Sequence, residues 1–422
     1  MKNEMYQEIE LSKKSLNWGM LKAVSLVLFV IGAAAFLYEL HTGDVKRAWS
    51  AYLTNYVYWT GLGFGAFLLS PILVSTNAAW GRPVKRMSEA VVFFLPVSFI
   101  LLWPLFIGRA DAFWWVLHPE KQKAPWLNTL FFFSREGIGL LALAVTAILL
   151  TYNSVRSDME YARNGSGEQG AGNAKTVSDS DRGVADRQSA QATLSVTYII
   201  LYAFVMTLVA FDFMMSLSQH WFSTLFGAYY FVVSFYAGLA FLAVLCAYAV
   251  REMGMGKVIL RKQFHDIGKL LFAFCVVSMD FFYVQFLVIW YANEPIETRY
   301  VLRRVAYDPW SALAWTVLIA LFVIPFLVLL FRKIKLNPVL LTAVSIWILL
   351  ATWLEKFLLV TPSMAKIEPL PLGIFELLIT IGWLGIFAFC VLSFLQRYPV
   401  LAFSDPKLPA ALETEEAKVH LV

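Results

Sequence analysis

The sequence predicts an all-α polytopic membrane protein with ten transmembrane helices. Of its 422 residues, 59% are apolar and only 15% are charged, which sets it apart from soluble globular domains. Apolar runs also recur along the whole chain, and each is close to the about 20 residues that a helix needs to cross the hydrocarbon core. The lipid bilayer is therefore the first partner that the sequence predicts.

Ten runs meet this length requirement. They are residues 20–38, 55–77, 88–107, 129–152, 194–217, 224–250, 265–292, 310–331, 338–360 and 372–396. The first run is longer than the apolar core of a signal peptide and lacks a small-residue cleavage site, so it is expected to remain as a helix.

The connections between runs differ in charge. Arg82, Lys85 and Arg86 follow the second run, and similar basic clusters follow the sixth and eighth, whereas the opposite connections carry mixed or little charge. By the positive-inside rule, the basic connections and both termini are predicted to be cytoplasmic. Residues 153–193, between the fourth and fifth runs, are rich in Gly, Ser, Asp and Arg and are predicted to form a disordered cytoplasmic loop.

Parts of the chain resemble each other. The segment "RPVKRMSEAVVFFLPVSFILLW" resembles "ILRKQFHDIGKLLFAFCVVSMDFF", and the fifth run resembles the ninth, which sets Asp212 against Glu355. Four helices return the chain to the side where it began, so these repeats are predicted to be parallel rather than inverted. The predicted units are an N-terminus with a flanking helix, two four-helix bundles, and a flanking tenth helix with a cytoplasmic tail, at residues 1–54, 55–217, 218–360 and 361–422.

Several motifs exclude function classes. Gly61, Gly63 and Gly65 in "TGLGFGAF" suit close helix packing, since no strand precedes them and no Lys-Ser/Thr follows. The three cysteines are isolated in apolar runs, and His265 is the only histidine in a run, so neither a metal site nor a bis-histidine haem is predicted. No catalytic residue, metal ligand, intrinsic cofactor or nucleic-acid partner is expected.

Ionisable residues inside the runs carry the functional hypothesis, because such residues usually serve a pathway or a buried ion pair. The predicted proton path consists of Asp212, Asp280, His265, Asp266, Lys269, Glu355, Arg135 and Glu136. Asp212 and Asp280 have no opposite charge three or four residues away, so they need partners on other helices or in water.

A purely structural role is the alternative for several of these residues. Arg135 with Glu136, Asp266 with Lys269, and Glu355 with Lys356 could be plain ion pairs. Glu89, Lys356 and Glu376 lie near run ends and are expected either to form structural ion pairs or to reach toward water. His220 and Trp221, with Tyr229 nearby, either face a quinol or anchor a loop.

Three stretches resemble a known family. "DFMMSLSQHWFSTLFGAYYF", "HDIGKLLFAF" and "QFLVIWYANEPIETRYVLRR" are similar to the polysulfide-reductase/NrfD-like integral membrane subunits of alternative complex III, a quinol:cytochrome c (or other acceptor) oxidoreductase. The resemblance extends from the second to the eighth run, and the chain is more similar to the second of two paralogous membrane subunits. His220, His265, Asp266, Lys269, Asp280 and Asp212 fall on matching stretches. Ile296 departs from the family, which has a carboxylate there.

The resemblance implies a bacterial inner-membrane subunit that is not catalytic alone. Its implied partners are the paralogous NrfD-like subunit, a peripheral iron-sulfur and molybdopterin-like subunit, and haem c subunits, so iron-sulfur clusters and haem c would lie on partners. A quinone or quinol is the only small molecule that it implies for this chain. The main expectation is a proton path with a quinone pocket as an option. The alternatives are a secondary transporter with ion-coupling acids and a purely structural membrane anchor.

Overall fold

The computed structural model of the chain is all-helical, with ten helices long and apolar enough to cross a membrane. It describes residues 2–165, 174–364, 370–405, 407–409 and 411. Within these ranges there is no β-strand. The predicted fold class is therefore confirmed.

The ten membrane helices follow the predicted runs closely. They are α1 Trp18–Thr42, α2 Val45–Ser75, α3 Arg82–Ile107, α4 Thr129–Gly165, α5 Ala174–Phe213, α6 Phe226–Glu252, α7 Arg261–Ala292, α8 Trp310–Leu330, α9 Pro338–Met364 and α10 Ile374–Arg397. A helix at Lys2–Ser15 precedes them, and a surface helix at Pro295–Val305 joins α7 to α8. α2 begins earlier than predicted because the Asp44 side chain accepts hydrogen bonds from the Lys46 and Arg47 amides and caps it.

The connection between α4 and α5 differs from the prediction. Residues 153–165 lie in α4 and residues 174–193 lie in α5, so the loop predicted over 153–193 is too long. Polar composition alone indicated a loop, but Ala, Gln, Arg and Glu in these stretches also favour helix. Residues 166–173 lie outside the described part of the chain.

Helix neighbours form two rings of four. α2 contacts α3 and α5, and α4 contacts the same two helices, which closes the first ring. α6 contacts α7 and α9, and α8 contacts the same two, which closes the second. α2 packs on α6 at the centre, while α1 and α10 pair with each other beside α2 and α3. That the two rings are parallel copies of one sequence repeat stays a prediction.

Glycines bring the central helices into backbone contact. A Cβ atom at Gly65 of α2 would lie 2.3 Å from the Ser234 carbonyl oxygen of α6, and one at Gly238 would lie 2.4 Å from the Ala66 amide nitrogen. Gly32 of α1 and Gly382 of α10 meet in the same way, at 2.4 Å. The packing role predicted for the α2 glycines is confirmed.

The membrane helices end at two faces of the molecule. The end with the basic connections after α2, α6 and α8 is called the basic face. The end that carries the surface helix is called the opposite face. The segment after α10 lies at the basic face, where the Asp405 carboxylate accepts a hydrogen bond from Arg82 at 2.7 Å.

Candidate functional site

Asp212 is held by a cross-helix ion pair near the opposite face. Arg135 of α4 donates from Nε to Oδ2 and from Nη2 to Oδ1, each at 2.6 Å. Trp126, in the loop before α4, donates from Nε1 to Oδ1 at 3.2 Å, and its ring lies 4.0 Å from the Arg135 guanidinium carbon. Asp212 is fully buried. The partner that the sequence required is thus a two-point guanidinium contact, the strongest form of such a pair.

Glu136 lies beside this pair but does not join it. Its side chain is fully buried, and neither carboxyl oxygen has a hydrogen-bond partner in the described part of the chain. Asp212 and Arg135 are its charged neighbours. Adjacent residues on a helix point about 100° apart, so Arg135 reaches α5 while Glu136 faces the centre. The alternative of an Arg135–Glu136 pair is therefore wrong.

The second ring holds a matching pair of charges. Lys356 of α9 donates from Nζ to Glu355 Oε2 at 2.6 Å, and both side chains are buried. The same ammonium lies 5.0 Å from the ring centre of Tyr230 on α6. Glu355 Oε1 has no hydrogen-bond partner among the described residues, and the Tyr229 hydroxyl faces this carboxylate. The Glu355–Lys356 pair is confirmed, but Lys356 does not reach toward water.

Tyrosine hydroxyl groups lie between the two carboxyl groups. Tyr56 of α2 is completely buried, has Glu136 as a charged neighbour, and its hydroxyl finds no hydrogen-bond partner in the described structure. Tyr230 donates a hydrogen bond to the Val57 carbonyl oxygen at 2.7 Å. Glu136 and Glu355 are both charged neighbours of its hydroxyl group. We call Glu136, Asp212, Arg135, Tyr56, Tyr230, Glu355 and Lys356 the central cluster.

A second buried charge network lies at the basic face. Arg86 of α3 pairs with Glu89 on its own helix and with Asp158 of α4. Ser70 of α2 donates to Glu89 Oε1 at 3.0 Å, and the Ser404 amide and hydroxyl both donate to Asp158 Oδ1. Of the two structural roles expected for Glu89, the ion pair is therefore found, and Glu89 is buried rather than reaching toward water.

Asp405 extends this network to the C-terminal segment. Its carboxylate pairs with Arg82 at 2.7 Å and with Lys85 at 3.5 Å. Burial alone would raise the pKa of Asp405, but Lys85 and Arg82 outweigh it and hold that pKa below its usual range. Arg86, Asp158 and Asp405 were not singled out from sequence, because the basic residues there were interpreted only as markers of orientation.

An apolar stretch of α2 lies between the two networks. On α2 the nine residues from Gly61 to Leu69 carry no side-chain hydrogen-bonding group, whereas Thr60 and Ser70 flank them. Nine helical residues span about 14 Å. The polar groups of α2 thus fall into two sets, one toward each face.

Other predicted path residues lie apart from the central cluster. Asp266 and Lys269 form an ion pair at 2.5 Å at the basic end of α7, beside the half-buried His265. Asp280 lies further along α7 and is exposed. Glu376, at the start of α10, is buried and pairs with Arg47 at 2.5 Å, so it forms a structural ion pair and does not reach toward water.

Trp221 anchors a stack at the opposite face. Its ring lies parallel to that of Tyr300 on the surface helix, with centroids 3.8 Å apart. The Arg304 guanidinium lies 3.6 Å from the same Tyr300 ring and so must cover its other side. Arg304 in turn donates to the Leu358 and Leu359 carbonyl oxygens at 3.1 and 2.7 Å. This bonding fits the loop-anchor reading of Trp221.

A cavity of about 510 Å³ opens beside this stack. It is lined by Trp114, His118, Leu217, Ser218, Gln219, His220, Trp221, Arg299, Tyr300, Arg303 and Ser363. His220 is exposed into it, while Tyr229 does not line it and instead faces Glu355. Arginine and histidine side chains give the lining a basic character.

Comparison with known proteins adds no relative. The sequence matches no protein-family model, and no curated protein matches it either.

Proposed function

We propose that this chain is an integral membrane subunit of a quinol-oxidising respiratory complex of the alternative complex III type, and that it provides a transmembrane proton path. The observation that carries the proposal is the central cluster, in which buried carboxyl oxygens of Glu136 and Glu355 lack hydrogen-bond partners among the described residues. A membrane anchor needs no such groups, and burying them is costly.

Charge balance singles out Glu136 as the proton carrier. Arg135 offsets Asp212, and Lys356 offsets Glu355. Glu136 is then the acid without a compensating base in the cluster, so the net charge of the cluster depends on whether Glu136 carries a proton. Tyr56 and Tyr230 can each donate and accept a hydrogen bond, which suits them to relay that proton between the rings.

The polar groups toward the basic face would form the other half of the path. Ser70, Glu89 and Asp158 are linked by hydrogen bonds and ion pairs through Arg86. In this proposal the basic face and both termini are cytoplasmic, and the membrane is the bacterial inner membrane.

The cavity at the opposite face suits a quinone head group. Its volume lies within the about 300–1,000 Å³ typical of small-molecule sites, and its wall combines the flat Trp221–Tyr300 stack with hydrogen-bonding side chains. His220 would accept a hydrogen bond from a quinol hydroxyl, since a neutral imidazole has one ring nitrogen that accepts. A bound quinol would supply electrons and protons. Iron-sulfur, molybdopterin-like and haem c subunits, and a paralogous NrfD-like subunit, would be the partners.

The partner proposal is tested by mild purification from native membranes. We expect the chain to co-purify with iron and with haem c absorbance in fixed ratio. A chain that purifies alone and moves a solute across vesicle membranes would instead be a secondary transporter, and the proposal would be abandoned.

The proton path is tested in the intact complex reconstituted into vesicles. We expect Glu136→Gln to abolish most proton movement per quinol oxidised, because an amide cannot take up and release the proton. Glu294→Gln is the control, since Glu294 is an exposed acid beyond the end of α7. Unchanged proton movement in the Glu136→Gln complex would contradict a path through the central cluster and would favour the anchor alternative.

A further inference from the structure

Asp280 presents a carboxylate on the outer surface of α7, midway across the membrane. It is eleven residues from Lys269 and twelve from Ala292, or about 17 and 18 Å along the helix. Asp280 is exposed and makes no hydrogen bond or ion pair with the residues that the structure describes. Two other acids of the membrane helices, Asp212 and Glu355, lie nearer the opposite face and are buried and paired inside the molecule.

Lipid is a poor neighbour for this side chain. A charged group facing hydrocarbon is costly, and such groups almost always face other protein or water. Long basic side chains escape by reaching the interface, but an aspartate is too short to do so over about 17 Å. The outer surface of α7 at this depth is therefore poorly suited to contact with lipid and well suited to contact with another protein helix.

One row among the exposed residues of α7 passes through Asp280 and forms a regular seam. Ala273, Val277, Asp280, Val284, Leu287 and Tyr291 are all exposed. Their spacing alternates between four and three residues, which is the 3.5-residue period of helices that pack side by side. Small and β-branched residues in the seam also permit the close approach that membrane helices need. The seam is thus shaped for one helix lying along α7.

We propose that this seam binds a transmembrane helix of another subunit that presents an arginine or lysine to Asp280. A second copy of this chain does not fit, because the bases inside its membrane helices, Arg135 and Lys356, are already paired with Asp212 and Glu355. A symmetric dimer through the seam would also bring two Asp280 carboxylates together. The partner helix must therefore supply the base, whichever complex the chain belongs to.

Site-specific photo-crosslinking in native membranes tests the seam directly. A benzoylphenylalanine at Val284 is expected to form one discrete adduct with a different membrane-spanning chain, identified by mass spectrometry. Phe204, an exposed residue of α5, carries the same probe as the control and is expected to give no protein adduct. Adducts at Val284 with a second copy of this chain, or with lipid alone, would overturn the proposal.

Reversing the charge at residue 280 then tests whether the partner helix presents a basic side chain to Asp280. Asp280→Lys is expected to lower the amount of co-purified partner by more than about tenfold, whereas thermal unfolding of the chain itself should be unchanged because the residue is exposed. Changing the facing base of the crosslinked chain to glutamate should restore co-purification with Asp280→Lys. Equal partner recovery from Asp280→Lys and the native chain would overturn the role of Asp280. The readout is subunit recovery, so it is independent of proton movement.

Discussion

At the scale of single residues, neighbours in sequence have opposite fates. Arg135 reaches across to α5 and holds Asp212 at two points, while Glu136 turns into the centre without a hydrogen-bond partner in the described structure. Arg135 joins α4 to α5 through an ion pair, whereas Glu136 is the acid of the cluster that no base offsets. Adjacent charges on a helix can pair, as Glu355 and Lys356 do, but Arg135 instead pairs with Asp212 on the neighbouring helix.

Removing Arg135 should destabilise the protein strongly. Arg135→Ala leaves the fully buried Asp212 carboxylate without its guanidinium, and breaking a buried pair from one side costs about 3–5 kcal/mol. We expect a clear drop in the thermal unfolding midpoint in detergent.

Two further variants make the Arg135 prediction specific. Arg135→Ala combined with Asp212→Ala should recover part of the loss, because no unpaired charge remains. Arg299→Ala removes an exposed arginine and should have little effect. Equal unfolding midpoints for Arg135→Ala and Arg299→Ala would show that the pair contributes little to stability.

The sequence could predict that Asp212 needs a partner on another helix, but it could not name Arg135. That choice depends on the rotation of α4 against α5, which is set by packing over the whole bundle. Tyr56 was missed for the same reason: one tyrosine in an apolar run gives no signal until α2 is placed beside Glu136.

At the scale of helices, the crossing of α2 and α6 organises the molecule. Gly65 and Gly238 allow the two backbones to touch, and this contact joins the two rings. The "GLGFG" spacing indicated close packing, yet it did not indicate which helix α2 meets. Hydropathy locates helices well because it is a local property, whereas their neighbours depend on contacts between distant parts of the chain.

A methyl group at the crossing should destabilise the protein. A Cβ at Gly65 would clash with backbone rather than with a flexible side chain, and overpacking costs about 1–3 kcal/mol. Gly65→Ala should therefore unfold at a lower temperature in detergent.

Gly137→Ala is the matched control for the crossing. Gly137 is also a membrane-helix glycine, but a Cβ there would meet its nearest neighbour at 3.6 Å, an ordinary contact. If Gly65→Ala were as stable as Gly137→Ala, the backbone contact would not limit the approach of α2 and α6.

At the scale of the whole molecule, the C-terminal segment is part of the buried charge network. Asp405 joins it to α3 through Arg82 and Lys85, and Ser404 joins it to α4 through Asp158. These contacts connect residues more than 200 positions apart, as the Ser404–Asp158 bonds show with a separation of 246. No local pattern predicts such contacts, although each charge was visible in the sequence.

Acid should release this segment. The pKa of Asp405 is lowered in the folded protein by Lys85 and Arg82, against the opposing effect of burial. The stabilisation is therefore present above the unfolded value near 3.9 and is lost as the pH falls through the lower folded pKa. Hydrogen exchange of residues 398–405 should accelerate over that acid range, and Asp405→Asn should accelerate it already at neutral pH.

The control for the C-terminal segment is Glu252→Gln. Glu252 is a half-buried acid near the basic face whose partner Arg251 is exposed, so replacing it with the amide should leave exchange of the segment unchanged. Equal exchange for Asp405→Asn and the native protein would mean that the ion pairs do not hold the segment in place.

The apolar stretch of α2 also has an electrical consequence. If each polar network exchanges protons with the water on its own side, both networks behave as extensions of the aqueous phases, and the membrane potential falls mainly across the roughly 14 Å between Thr60 and Ser70. One charge crossing a full potential of about 100 mV changes in free energy by about 2.3 kcal/mol. Proton transfer past the residues from Gly61 to Leu69 would then be the step on which the membrane potential acts, and polar substitutions there would shorten the distance over which that potential falls.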